Sequence, residues 1–137
     1  MLDLEAETRP FNLAETSEMQ MMKTGALISC AVISGGIVGG ADGQLLAAQA
    51  AYAKHLGMAF QIADDLLDYG SDLAALGKPV GQDAARGKTG FVALMGGDAA
   101  AAEAKRLIDE ANNALALWQG AGEYMQELAI FAITRKR

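Results

Sequence analysis

From Leu45 to Leu67 apolar residues return every three or four positions, at Leu45, Ala48, Tyr52, Leu56, Ala59, Phe60, Ala63 and Leu67. That is the spacing of one buried face of a helix. A stripe this long has to be covered by other helices. The rest of the chain can supply them: 52% of its 137 residues are apolar, only 6% are aromatic, and two are proline. Such a composition favours packed helices over a sheet. The expected fold class is all-α, a helical bundle. The chain reads as one unit over residues 1–137, without an internal repeat or an interdomain linker.

The same helix ends in three carboxylates. In Phe60-Gln61-Ile62-Ala63-Asp64-Asp65-Leu66-Leu67-Asp68, the residues Gln61, Asp64, Asp65 and Asp68 fall at i, i+3, i+4 and i+7, and so share one side of the helix. Like charges at these spacings repel, and acids near a helix C-terminus also oppose its dipole. A hard divalent cation with oxygen ligands reverses the sign. Mg²⁺ uses one or two protein carboxylates and keeps room for water and substrate phosphate. Metal plus phosphate is the reading the pattern favours; the plainer alternative is a solvated acidic patch.

A formal charge of −6 gives no positive surface for nucleic acid, so no RNA or DNA partner is expected. The single cysteine, Cys30, has no partner for an internal disulfide, and its apolar neighbours predict a small buried residue in a reducing, cytoplasmic setting. The start, Met1 to Glu7, lacks the basic-then-apolar layout of a secretory signal. Thr24 to Ala41 carries no charge over 18 residues, the length at which a membrane span has to be weighed. Its five glycines and absence of flanking Trp or Tyr argue against a span. A helix buried on all sides and frayed at its glycine-rich end is expected instead.

Along the chain, residues 1 to 7 read as the end of a helix, broken at Thr8-Arg9-Pro10-Phe11. Asn12 with Glu15 forms a capping-box pattern that starts a helix over about 13 to 35. Gly39 to Gly43 is a turn before the aspartate-bearing helix. Gly70 to Gly87 reads as a long loop, and a short helix over about 88 to 95 follows. Asp98 is the expected cap of the next helix, whose stripe is Ala104, Leu107, Ile108, Ala111, Leu115 and Trp118. The last helix runs from Glu123 to Thr134, and Arg135-Lys136-Arg137 suits its C-terminal dipole.

Lys23, Lys78 and Lys88 are three separated cations, each an ordinary surface lysine if taken alone. Around one acidic cluster they would suit a diphosphate held jointly by Mg²⁺ and ammonium groups. His55 lies more than two turns before the aspartates and reads as a satisfied helix residue. No Ser/His/Asp set, CxxC or phosphate-loop pattern is present.

These motifs carry a resemblance. Gly57-Met58-Ala59-Phe60-Gln61-Ile62-Ala63-Asp64-Asp65-Leu66-Leu67-Asp68, then Leu76-Gly77-Lys78-Pro79-Val80-Gly81-Gln82-Asp83 and Gly87-Lys88, resembles the second aspartate-rich region of the trans-isoprenyl diphosphate synthases, the polyprenyl synthetase family. The branch it looks most like is bacterial farnesyl diphosphate synthase. Lys23-Thr24-Gly25-Ala26-Leu27-Ile28 is similar to the family's Lys-Thr motif, and Leu2 to Glu7 to the segment before it. The resemblance implies the isoprenoid synthase fold, of which this chain would be the C-terminal part. It also implies a prenyltransferase that condenses an allylic diphosphate (dimethylallyl or geranyl) with isopentenyl diphosphate. In that reading Asp64, Asp65 and Asp68 serve Mg²⁺, with Asp64 the direct ligand, while Lys23, Lys78 and Lys88 contact the diphosphate. Thr24 and Gln61 line the place where the new bond forms.

The family's first aspartate-rich motif has no counterpart here: the acids before residue 42 are Asp3, Glu5, Glu7, Glu15 and Glu18. The expectation is therefore a half-site, inactive alone, in a homodimer or in association with an N-terminal half. The rival readings are a noncatalytic helical protein that works through protein contacts, and a class I terpene cyclase. Lys23-Thr24 and the Lys78 segment favour the chain-elongating family over the cyclase.

Overall fold

In the computed structural model, the structure describes residues 9–76, 90–118 and 122–135, the side chains of 71–76 and 117 excepted. Every element among them is helical, as the composition requires: α1 (Leu13–Gln20), a π-helical turn (Met21–Gly25), α2 (Ala26–Val38), α3 (Gly43–Leu76), α4 (Phe91–Met95), α5 (Gly97–Ala114), a 3₁₀ turn (Leu115–Leu117) and α6 (Gly122–Thr134).

α1 starts where the capping box places it. The Glu15 N–H donates to Asn12 Oδ1 and the Asn12 N–H to Glu15 Oε2, both at 3.0 Å. Arg9 reaches the other Glu15 oxygen at 2.7 Å and, together with the Asn12 N–H, holds this carboxyl below its ordinary value. The expected single helix from 13 to about 35 is instead interrupted. The Ala26 N–H reaches back five residues to the Met21 carbonyl, so one turn widens around Lys23 and Thr24 before α2 resumes.

α2 does not fray. Gly40 takes φ 75°, the Ala41 N–H donates to the Gly36 carbonyl at 2.9 Å, and the Gly40 N–H donates to Ile37 at 3.1 Å. This is a Schellman closure, for which a glycine in the left-handed region is the natural residue. Asp42 then caps α3 by accepting the Leu45 N–H at 2.8 Å.

α3 is the central helix, and α5 is its main partner. Tyr52, Leu56, Ala59 and Ile62 of α3 pack with Ala100, Ala104, Leu107, Ile108, Ala111 and Leu115 into one buried cluster, completed by Phe91, Val92, Ala129 and Ala132. Of the stripes expected from the sequence, Tyr52, Leu56, Ala59 and Ala63 and then Ala104, Leu107, Ile108, Ala111 and Leu115 are buried, while Leu45, Ala48, Phe60, Leu67 and Trp118 are half-buried. Truncating a residue such as Leu107 to Ala would cost about 2–5 kcal/mol. The Tyr52 hydroxyl donates to the Met125 carbonyl of α6 at 2.7 Å, and burial pushes that phenol up to about 12.

Four further expectations need correction. α2 is not buried all round: Leu27 is 72% and Val38 89% exposed, because α3 covers only one of its sides. Cys30 lies on the uncovered side and is exposed. Gly70 belongs to α3, which continues to Leu76, so the expected loop does not begin at Gly70; residues 77–89 lie outside the described residues. Asp98 sits in the first turn of α5 and not at its cap; the capping residue is Gly96, at φ 86°.

Leu13–Val38 is 26 residues of helix long and apolar enough to cross a membrane by length and composition. The core helix of a bundle passes the same test, although little of this run is buried here. Here the run lies against α3 at two glycines. A Cβ on Gly36 would come within 1.7 Å of Gln49 Oε1, and a Cβ on Gly57 would lie 3.0 Å from the Gly25 Cα.

Candidate diphosphate site

The close approach of Gly25 and Gly57 sets the site's geometry. With no side chain on either residue, the π turn lies directly against α3. Gln61 is one turn beyond Gly57 on the same face, so the turn bearing Lys23 and Thr24 lies beside the start of the aspartate face. Lys23 is exposed, while Thr24 and Gln61 are half-buried. Widened turns of this kind are rare in helices and recur at functional positions.

The three aspartates do not behave alike. Asp64 is 55% exposed, and its Oδ1 accepts from the Arg135 guanidinium at 2.7 Å. Arg135 also stacks on the Phe60 ring, 4.1 Å from its centroid, which places one cation over both residues. Asp68, one turn on, is exposed on the same face. Asp65 is half-buried and turned elsewhere: its Oδ2 accepts the Val92 backbone N–H of α4 at 2.7 Å. Among the described residues no three His, Cys, Asp or Glu side chains are gathered as a metal cage.

Asp64 and Asp68 nevertheless fit a hard cation. They are two carboxylates at i and i+4, open to water, and Asp64 already holds a guanidinium cation. Lys78 and Lys88 lie outside the described residues. His55 is satisfied as expected, its Nδ1 lying 3.1 Å from Glu110, which also pairs with Arg106.

Sequence reasoning missed Arg135, Phe60 and Gly90. Arg135 is 71 residues from Asp64, and no local spacing connects them. Gly90 faces the Asp65 carboxylate so closely that a Cβ there would sit 2.6 Å from either oxygen. For Gly57 a signal did exist: it precedes Gln61 by one turn.

An all-helical body with a widened lysine-threonine turn set against the helix that carries the aspartates is the class of protein that the fold and site define. Within that class, the sequence profile of the polyprenyl synthetase family matches residues 1–119, and the chain belongs to that family. It is 36% identical over 134 residues to a dimethylallyltranstransferase of Fischerella ambigua, covering 97% of this chain and 39% of that protein. To the farnesyl diphosphate synthase of Escherichia coli it is 41% identical over 115 residues, covering 83% of this chain and 38% of the relative. Among solved structures, an FPP/GFPP synthase from Zymomonas mobilis superposes with a TM-score of 0.78 at 32% identity, over 96% of this chain and 42% of that one. The chain thus spans about two fifths of the length of the curated relatives it matches.

Proposed function

We propose that the chain forms the diphosphate-gripping wall of a trans-prenyltransferase that joins an allylic diphosphate to isopentenyl diphosphate in isoprenoid biosynthesis. The observation that carries this is the close approach of Gly25 to Gly57, which sets the Lys23-Thr24 turn against the helix that bears Gln61, Asp64 and Asp68. Asp64 and Asp68 would hold Mg²⁺, with Asp65 beside them. When bound, the ion supplies positive charge against the departing diphosphate. Lys23, Lys78 and Lys88 neutralise the same oxygens and keep the leaving group oriented. Thr24 and Gln61 line the space in which the isopentenyl double bond attacks the allylic carbocation, after which a proton is lost. The protein's part is electrostatic, and such preorganised charge is the largest single contribution in comparable sites.

In this reading the exposed apolar side of α2 is covered by further chain of the kind the longer relatives possess, or by a second copy in a homodimer, and the protein works in the cytoplasm. The chain alone turns over no substrate, because only one carboxylate wall is present. Incubated by itself with labelled isopentenyl and dimethylallyl diphosphates and Mg²⁺, it gives no prenyl product. Refolded with an N-terminal half that bears the first aspartate-rich motif, it gives Mg²⁺-dependent product. Product from the chain alone at an ordinary enzyme rate would overturn the half-site reading.

A noncatalytic role through protein contacts draws on the exposed Leu27, Val38, Tyr124 and Phe131. A cyclase has no such support, since none of the relatives named above is one.

A further inference from the structure

Asp65, Gly90 and Val92 make a joint between α3 and α4 that metal binding does not explain. Asp65 Oδ2 accepts the Val92 N–H at 2.7 Å, satisfying a donor in the first turn of α4 that the helix itself leaves open. Gly90, Phe91 and Val92 are all buried, and a Cβ on Gly90 would lie 2.6 Å from each Asp65 oxygen. A carboxylate lodged against a glycine backbone, with one oxygen committed to an N–H, is poorly free to meet the strict octahedral geometry of Mg²⁺. Asp64 and Asp68, on either side of it in sequence, are exposed.

Within the proposed diphosphate site, we infer that Asp65 is a positioning residue and not a metal ligand. Phe91 and Val92 pack in the same buried cluster as Ile62 of α3. Tying α4 to α3 at this level fixes the rotation of α3 about its own axis. Because successive residues are about 100° apart around a helix, a small rotation re-aims Asp64 and Asp68 together. The Asp65–Val92 bond sets where the two exposed carboxylates point, and the bare Gly90 backbone leaves room for the Asp65 carboxylate in this position.

The test is a calorimetric titration of Mn²⁺ in the presence of inorganic pyrophosphate on the whole chain and on Asp64→Asn, Asp65→Asn and Asp65→Ala, with amide hydrogen exchange at Val92 followed in parallel. Asp65→Asn keeps an acceptor oxygen for Val92 and loses only the charge. It is expected to bind within about twofold of the parent, whereas Asp65→Ala loses about tenfold, the lower range for removing an outer-shell partner. Asp64→Asn loses binding, and Val92 exchange accelerates only in Asp65→Ala. Asp65→Asn falling as far as Asp64→Asn would make Asp65 a ligand and overturn the inference. Asp65→Ala binding like the parent would remove its positioning role. If the parent itself bound nothing, the diphosphate reading would fall, and with it the positioning role, while Val92 exchange would still report whether the joint exists.

Discussion

At Asp64 one guanidinium does two things. Arg135 pairs with the carboxylate at 2.7 Å and stacks over Phe60 at 4.1 Å, so its charge neutralises an oxygen that would hold the ion in the proposed function. Exposed pairs of this kind contribute at most about 1 kcal/mol. Arg135 is therefore a displaceable counter-charge. Replacing it with glutamine is expected to tighten Mn²⁺ binding by about two- to fivefold, the factor that such a pair energy allows. Competition titrations with and without added salt check this. A weakening would mean that Arg135 holds Asp64 in place for the ion. The sequence disclosed the carboxylates at Asp64, Asp65 and Asp68 through their spacing, because helix periodicity is local. It hid their division of labour, because Arg135 and Val92 reach them from other helices.

At the scale of elements, α3 is held to α6 by the Tyr52 hydroxyl on the Met125 carbonyl. Removing that bond with Tyr52→Phe, which keeps the ring in the core, is expected to cost about 1 kcal/mol. Burial raises the Tyr52 phenol from 10 to about 12. Its contribution is then intact below pH 10 and is lost as pH rises from there through the raised value. Urea unfolding of parent and Tyr52→Phe at neutral pH and near pH 11 should show the parent's advantage shrinking at the higher pH; an advantage that grew would contradict the burial account. The helices themselves were largely readable. The Asn12–Glu15 box, the stripe from Tyr52 to Ala63 and the stripe from Ala104 to Leu115 each depend on residues a few positions apart. The π turn at Lys23 was not readable, because it forms where Gly25 meets Gly57, 32 positions later in the chain. The extension of α3 through Gly70 likewise overrode a local signal, as glycine costs a helix only about 1 kcal/mol.

At the scale of the whole molecule, a well-filled interior between α3 and α5 coexists with an uncovered apolar side on α2 and on α6, where Tyr124 is 82% exposed. Apolar area left open in this way marks a surface that another chain or segment covers. The proposed function gives the widened Lys23-Thr24 turn and the acidic face of α3 one use, the holding of a diphosphate with a divalent ion. The most direct measurement is calorimetry of pyrophosphate binding with Mg²⁺ present and absent, on the parent and on Asp64→Ala. The account predicts binding that depends on Mg²⁺ and disappears in Asp64→Ala, while the helical circular dichroism of the two proteins stays the same. Equal pyrophosphate binding by both proteins, with or without Mg²⁺, would contradict it.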